Sequence, residues 1–339
     1  MEIKFERFHL QSDLCSPLKG FEAVSVPTEI RIDPLTKRRS RITTFALPSK
    51  RKFDFAQIAE ESREGCIFCP ENVHLKTPKF LEDIVPEGRI LVGKAIGFPN
   101  LNPIGTYGSV IVPCPDHFLN LNEFTPEIYE GALSVAIEIM RKTTAFDPNA
   151  RYWQINQNFL FPAGSSILHP HLQAIGDPIP TNEMELLLNR SSAYQETNKT
   201  LYWDDLIQIE KRLGERYIAE NGKVHWFASF SPIGSNEVCG SVEGHGSVIT
   251  LSQEEITSLS KGIVSTLKYY YEKDLNSFNF SIYSISGEPT HQLFIRIISR
   301  TPIQPHYPND WPSFKVLQSE PASNVIPEEL CREIRPYFT

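Results

Sequence analysis

An α+β fold of two similar halves, with antiparallel sheets and flanking helices, is what this sequence predicts. Two observations carry the prediction. First, an order of features occurs twice. Asn102-Pro-Ile-Gly105 precedes His117 and a helix pattern opening at Thr125, while Ser231-Pro-Ile-Gly234 precedes His245 and a helix pattern opening near Ser252. A recurring order of this kind marks an internal duplication, with units near 85–178 and 222–300. Second, 26 prolines are spread along 339 residues. Proline fixes φ and lacks an N–H, so a long helical bundle is excluded and many set turns are expected. The chain divides into halves at 1–190 and 191–339.

The elements follow in order. Residues 1–60 are basic in the middle, through Lys37, Arg38, Arg39 and Arg41, then Lys50, Arg51 and Lys52. Strand-like runs stand at 89–93 and 108–113. The helix at 125–143 has Thr125 as N-cap and Pro126 in the first turn, with Ile128, Leu133, Ile137 and Met140 on the buried face. Strands at 151–157 and around His169 close the first unit. In the second unit, Ser252 and Glu255 form a capping box. Strands at 278–285 and 292–299 follow that helix.

Composition narrows the function. A hydrophobic fraction of 40% and a charged fraction of 22% are ordinary for a water-exposed globular chain. The net charge of −8 argues against a general nucleic-acid coat, though not against one nucleotide in a locally basic pocket. No apolar run approaches the roughly 20 residues that span a bilayer. The first residues, Met-Glu-Ile-Lys-Phe-Glu-Arg, lack the apolar core of a signal peptide. A cytoplasmic protein without a membrane partner is the expectation.

Of six cysteines, Cys66 and Cys69 alone form a close pair. In a reducing compartment that spacing suits a metal or redox site better than a structural disulfide. Two thiolates need two more ligands for a closed tetrahedral site. His117, His169 and His74 compete for those places; the bland alternative is a pair of inert thiols at a turn.

The segment Ala163-Gly-Ser-Ser-Ile-Leu-His-Pro-His-Leu-Gln173 carries the chemistry. On an extended strand, His169, His171 and Gln173 would share one face at roughly 7 Å spacing. Gly164, Ser165 and Ser166 stand ready to donate to an anion. Imidazole is a nucleophile near neutral pH because its ordinary pKa is about 6.5. A lone histidine is more often an inert core residue. Here a second histidine, a glutamine in register and a Gly-Ser-Ser run must be explained as well. Gln173 is neutral and can donate to a phosphoryl oxygen, but it cannot act as a general acid. That favours a stable nucleotidyl-histidine awaiting a second phosphate. The second unit reads His291-Gln-Leu-Phe-Ile-Arg-Ile at the corresponding place, without this chemistry.

At these residues the chain resembles the galactose-1-phosphate uridylyltransferase family of the histidine-triad superfamily, in its nucleotidyltransferase and phosphorylase branch. The resemblance runs through most of the chain in order. It takes in Arg31-Ile-Asp-Pro-Leu-Thr36, Cys66-Ile-Phe-Cys-Pro-Glu-Asn72, Pro115-Asp-His117, His169-Pro-His-Leu-Gln173 and His225-Trp226. It implies two histidine-triad-like halves, the first with the zinc knuckle and the second degenerate, usually assembled as a homodimer. It implies one structural zinc on Cys66, Cys69, His117 and His169, a covalent intermediate on His171, and Gln173 on the transferred phosphoryl group. Asn158, Gly164, Ser165 and Ser166 match the phosphate side. Phe68 and Phe98 fall where the family packs the base, and Lys50 and Arg51 lie near its phosphate-binding arginines.

The chain departs from the pattern elsewhere. Phe294 and Arg296 stand where the family's second metal site has histidines, so no second metal is expected. Ile96-Gly97 replaces an Asn-Asp at the ribose, and Phe314-Lys315 replaces a Tyr/Phe-Glu pair at the sugar. The implied activity is UMP transfer between sugar 1-phosphates, with nucleotide sugars as partners. One alternative is a nucleotide-sugar or dinucleoside-polyphosphate phosphorylase that uses inorganic phosphate. Another is a nucleotide-binding protein without turnover.

Overall fold

The computed structural model describes residues 3–43, 53–301 and 312–338. The chain opens with β1 (Glu6–Ser16), β2 (Glu22–Ile32) and β3 (Arg39–Thr43), then α1 (Ala56–Arg63) and α2 (Pro70–Lys76). The first unit contains β4 (Ile90–Val92), β5 (Ala95–Pro99), β6 (Tyr107–Val112), α3 (Pro126–Phe146), β7 (Tyr152–Phe159) and β8 (Leu172–Asp177). Two helices, α4 (Asn182–Asn198) and α5 (Tyr202–Leu213), lead to the second unit. That unit contains β9 (Tyr217–Asn221), β10 (Val224–Ala228), β11 (Ser235–Val242), α6 (Gln253–Glu272), β12 (Phe278–Ile285) and β13 (Leu293–Ser299). The tail adds α7 (Ser313–Gln318), β14 (Ala322–Ser323) and α8 (Pro327–Ile334). The boundary read at residue 190 falls inside α4. No helix of the described residues is long and apolar enough to cross a membrane.

The α+β class with antiparallel sheets is what the structure has. Ten strands form one antiparallel sheet in the order β4-β5-β6-β8-β7-β12-β13-β11-β10-β9. Each half runs three strands, a long helix and two strands. Their innermost strands, β7 and β12, pair from Tyr152↔Ile285 to Phe159↔Phe278. An internal duplication would produce this arrangement. A smaller sheet, β1-β2-β3-β14, lies beside it.

The long helices arise where their signals stand. Pro126 sits at the start of α3, where its missing N–H costs nothing. Leu133, Ile137 and Met140 are buried along one side of α3, and Ile128 is half-buried. The capping box of α6 is complete: Ser252 accepts from the Glu255 N–H and Glu255 accepts from the Ser252 N–H. Both helices cover one face of the sheet, in a core that includes Trp153, Ile155, Phe159, Trp226, Ile263 and Ile295. Each fully buried side chain of this size contributes roughly 1.5–3 kcal/mol. A Cβ on Gly262 of α6 would lie 2.1 Å from the Trp226 ring, so only glycine allows this approach.

Along β7 the burial alternates. Trp153, Ile155, Gln157 and Phe159 face the helices; Tyr152, Gln154, Asn156 and Asn158 face the other way. Among the described residues, two apolar layers lie on that second face. At one end lies an apolar layer of Cys66, Phe68, Cys69 and Val73 on Ile96, Phe98, Val110 and Val112. At the other, Leu187, Tyr202, Trp203 and Leu206 pack on Phe227, Cys239 and Phe294. On the same face lies a trough of about 270 Å³ whose lining includes Gln154, Asn156, Asn158, Gln173, Asn279 and Arg296.

Candidate active site and metal centre

The knuckle is a tight turn. The Cys69 N–H donates to the Cys66 carbonyl at 3.4 Å, and the Asn72 side chain donates to the same carbonyl at 2.9 Å. Pro70 then starts α2. His117 follows β6, and His169 precedes β8. The ligand atoms of Cys66, Cys69, His117 and His169 all lie within 4.8 Å of one another, and all four residues are buried. Cys69 Sγ is 3.3 Å from His117 Nδ1 and 3.7 Å from His169 Nδ1, and Cys66 Sγ is 3.9 Å from His169 Nδ1.

These spacings match a metal. Bonds of about 2.3 Å to sulfur and 2.0–2.1 Å to nitrogen in a tetrahedron give edges of roughly 3.3–3.8 Å. The outward nitrogens also have partners: His169 Nε2 lies 3.1 Å from the Cys114 carbonyl, and His117 Nε2 lies 3.0 Å from Ser62 Oγ. Such contacts leave both Nδ1 atoms as ligands. Burial, then the neighbouring Cys66, pushes the Cys69 thiol up to about 11. Burial lowers His169 to about 4. A bare site thus disfavours thiolate, and a cation would reverse that. The group can hold one metal ion. His74 is exposed on α2 and outside it.

The shared strand face expected for His169, His171 and Gln173 needs correction. β8 begins at Leu172, so both histidines lie in the segment before it. Pro170 gives no ladder N–H, which agrees with pairing starting later. His169 turns to the cysteines. His171 Nδ1 lies 3.0 Å from the His169 carbonyl, and its ring meets Phe68 edge-on at 5.1 Å. A carbonyl only accepts, so Nδ1 carries the proton and Nε2 keeps its lone pair. Burial lowers the His171 pKa below the ordinary value, which keeps the ring neutral.

Gln173 on β8 is paired in register with Asn156 and lines the trough with Gln154, Asn158, Asn279 and Arg296. Between β7 and His169 runs a constrained loop. Leu160 has φ 67° and ψ 171°, a region open essentially to glycine that costs roughly 1–3 kcal/mol for other residues. The Leu160 carbonyl accepts from the N–H groups of Ala163 at 3.0 Å and Ser165 at 3.2 Å. Ser165 Oγ donates to the Ile167 carbonyl at 2.7 Å. Ser165 and Gly164 therefore spend their donors inside the loop, the Gly164 N–H on the Phe161 carbonyl at 2.9 Å, while Ser166 is exposed.

Other predicted residues are placed as follows. Phe68 and Phe98 are 5% and 2% exposed, and their rings pack at 5.8 Å within the knuckle layer. Ile96 is buried in the same layer, and Gly97 backs onto Val135 of α3. Phe294 packs on Trp203 at 4.7 Å, and Arg296 pairs with Glu237 at 2.9 Å and Glu183 at 3.4 Å. Phe314 lies under the Arg41 guanidinium at 5.0 Å, away from the trough lining. Lys50 and Arg51 lie outside the described residues. Sequence reading missed Asn279, which donates to Asn158 Oδ1 at 2.6 Å. No local signal could have found a contact that depends on the β7–β12 register.

Comparison with known proteins adds the following. No family model matches the chain. An uncharacterized protein from Archaeoglobus fulgidus is 32% identical over 335 residues, covering 98% of this chain and 99% of that one. Among solved structures, a GalT-like protein from Arabidopsis thaliana is similar with TM-score 0.68 at 17% identity, covering 91% of this chain and 98% of its own. An ADP-glucose phosphorylase from Arabidopsis thaliana, with bound ADP-glucose, is similar with TM-score 0.67 at 17% identity and the same coverage. A uridylyltransferase is similar with TM-score 0.66 at 18% identity, again covering 91% and 98%.

Proposed function

The chain belongs to one family with the Archaeoglobus fulgidus protein and has the fold of the galactose-1-phosphate uridylyltransferase family; from that premise we propose that it is a nucleotidyltransferase working through a nucleotidyl-histidine. His171 Nε2 attacks the α-phosphorus of a UDP-sugar. A P–N bond forms, the bond to the sugar phosphate breaks, and sugar 1-phosphate leaves. A phosphate oxygen of a second sugar 1-phosphate then attacks the same phosphorus and releases His171. The bonds broken and formed are alike in energy, so positioning and charge stabilisation carry the catalysis.

One observation carries this reading: the proton on His171 Nδ1 is held by the His169 carbonyl at 3.0 Å, leaving Nε2 as the free nucleophile. Gln173, Asn158 and the exposed Ser166 stabilise the phosphoryl oxygens, while Gly164, whose N–H donates to the Phe161 carbonyl at 2.9 Å, shapes the turn. Ser165 shapes their loop, and Phe68 and Phe98 wall the base side. Gln173 has no acidic proton for the leaving group, which lets the intermediate persist.

Zinc is the metal proposed for Cys66, Cys69, His117 and His169. Four protein ligands leave no open position, so its role is structural. It ties His169 to the knuckle and thereby fixes the backbone carbonyl that orients His171. A homodimer is proposed as well. Phe8, Leu10, Leu14 and Val26 line one face of the β1–β2 ribbon and are 53%, 43%, 43% and 37% exposed, a surface a second copy would cover. The cytoplasm is the proposed compartment, in keeping with six unbridged cysteines.

A second reading keeps the intermediate and makes inorganic phosphate the acceptor. The departures at Ile96–Gly97 and Phe314–Lys315 from the family's ribose- and sugar-contacting pairs motivate it. Intact-mass spectrometry after incubation with UDP-glucose and ADP-glucose tests both. The protein should gain the mass of one nucleoside monophosphate, His171→Gly should gain none, and the acceptor that removes the adduct identifies the reaction. If no nucleotide donor labels the wild type, the mechanism is wrong.

A further inference from the structure

The second half, which lacks the nucleophile, touches the reactive loop through a chain of hydrogen bonds. Arg300 Nη1 donates to Asn279 Oδ1 at 2.7 Å. Asn279 Nδ2 donates to the Ala163 carbonyl at 2.9 Å and to Asn158 Oδ1 at 2.6 Å. Ser277 Oγ adds a bond to the Phe159 carbonyl at 2.7 Å, just before the strained Leu160.

The direction of this chain is forced. A guanidinium has only donors, so the atom of Asn279 facing Arg300 must be its oxygen. The other end of Asn279 is then its NH₂, which agrees with the Ala163 carbonyl it meets, since a carbonyl only accepts. The NH₂ in turn requires the Asn158 oxygen as acceptor. Asn158 is left with its own NH₂ for the trough, where it lies beside Gln173 among the lining residues. Amide orientation is ordinarily assigned from the hydrogen-bond network, and here a fixed cation at one end and a fixed carbonyl in the middle determine it.

We propose that Arg300 and Asn279 are positioning residues that set Asn158 as a donor to the transferred phosphoryl group and hold the Ala163 turn beside it. This rests on the nucleotidyl-histidine reading. It gives the second half a role in the reaction: its strand β12 supplies the polarity of a residue on β7. The group so recognised is an anionic phosphoryl oxygen, because a donor was selected where an unconstrained asparagine could equally have presented its oxygen.

The experiment measures adduct formation on the holoprotein by rapid-quench mass spectrometry, using the nucleotide sugar that labels the wild type. Asn279→Asp keeps the acceptor for Arg300 but removes the donor to Ala163 and Asn158. It should slow adduct formation about tenfold to a hundredfold, the scale of losing one preorganised donor to an oxyanion. Donor KM should change less than about threefold, since the contact matters most as charge develops. Arg300→Lys retains a donor-only cation and should stay within about threefold of the wild type; Arg300→Gln can turn either way and should fall toward Asn279→Asp. Metal content and Tm are followed throughout. Should Asn279→Asp fail to fold, the Arg300→Lys and Arg300→Gln pair decides by itself. Equal rates in that pair, or wild-type rates in a folded Asn279→Asp, would overturn the proposal. A wild type that takes no label would instead refute the underlying reaction.

Discussion

The half built on β4–β8 and the half built on β9–β13 lay their strands in the same order and meet across β7 and β12. They differ in how the layer over the open face is fastened. In the first half, four side chains that can hold a metal ion bring the knuckle to the sheet. In the second, ion pairs fasten the layer: Arg296 joins Glu237 to Glu183 of α4, and Glu183 also meets Arg38 in the connection between β2 and β3. One transverse row shows the contrast. Gln173, Asn156, Ser281 and Arg296 lie side by side across four strands. Gln173 and Arg296 thus stand at matching distances from the seam and both line the trough, the first neutral and the second neutralised by two carboxylates. The lesson is that buried positions set the frame, while a few residues on one face set the two halves apart.

Removing the metal should separate the halves most strongly. Cys69→Ser, or a strong chelator at neutral pH, should release the ion and lower Tm by roughly 10 °C or more, because the binding free energy of a structural metal is also folding free energy. Hydrogen exchange should rise first in β5, β6 and the segment before β8. A uniform rise across β9–β13 would mean that the halves are not fastened independently.

A pair of substitutions in the shared row sharpens the contrast. Arg296→Leu strands Glu237, whose side chain is fully buried and whose pKa burial already raises. It should cost about 3 kcal/mol in urea unfolding, the lower end for breaking a buried pair. Gln173→Ala should change stability by less than about 0.5 kcal/mol, as an exposed-face substitution does, yet slow adduct formation about a hundredfold. Finding the large stability loss at Gln173 would reverse the assignment of roles.

Acid should produce the smallest and most local effect. Burial alone would raise the Glu328 carboxyl, but hydrogen bonds and charge from Arg31, with help from Arg216, outweigh it and hold the group at about 2. Arg31 bonds both oxygens, at 3.0 and 2.8 Å. A carboxyl whose folded pKa lies below its unfolded value of about 4.5 stabilises the fold above that pH. The contribution is lost as pH falls from about 4.5 toward about 2. Glu328→Gln should therefore flatten the stability profile across that window and leave metal content at neutral pH unchanged. A profile as steep as the wild type's would show that other carboxyls govern the acid limb.

Much of this was legible in the chain because it is local. The Ser252–Glu255 box and the Thr125-Pro126 start place two helices, and the strands read at 151–157 and 278–285 fall on β7 and β12. The Cys66–Cys69 spacing suggests a metal turn; spacing leaves His117, His169 and His74 open, the family resemblance names the first two, and the fold brings those two to the cysteines. What escaped reading depends on register. Asn279 lies 121 residues from Asn158, and Arg296 lies 59 residues from Glu237 and 113 from Glu183; no periodicity links such positions. The His169–His171 segment escaped for another reason. Its alternation suggests a strand, but Pro170 and the turn of His169 toward the cysteines delay pairing until Leu172.

The β7–β12 seam has a consequence for the molecule as a whole. The eight paired positions lie in the middle of the sheet, so a fragment ending after α4 would present β7 as a bare edge, and the remainder would present β12. Each edge carries a row of unsatisfied N–H and C=O groups flanked by Ile155 or by Phe278, Phe280 and Ile282, which is the template on which chains aggregate. The two units are alike enough to look separable, but each serves as the other's edge cover, and the molecule is one object in solubility as well as in shape.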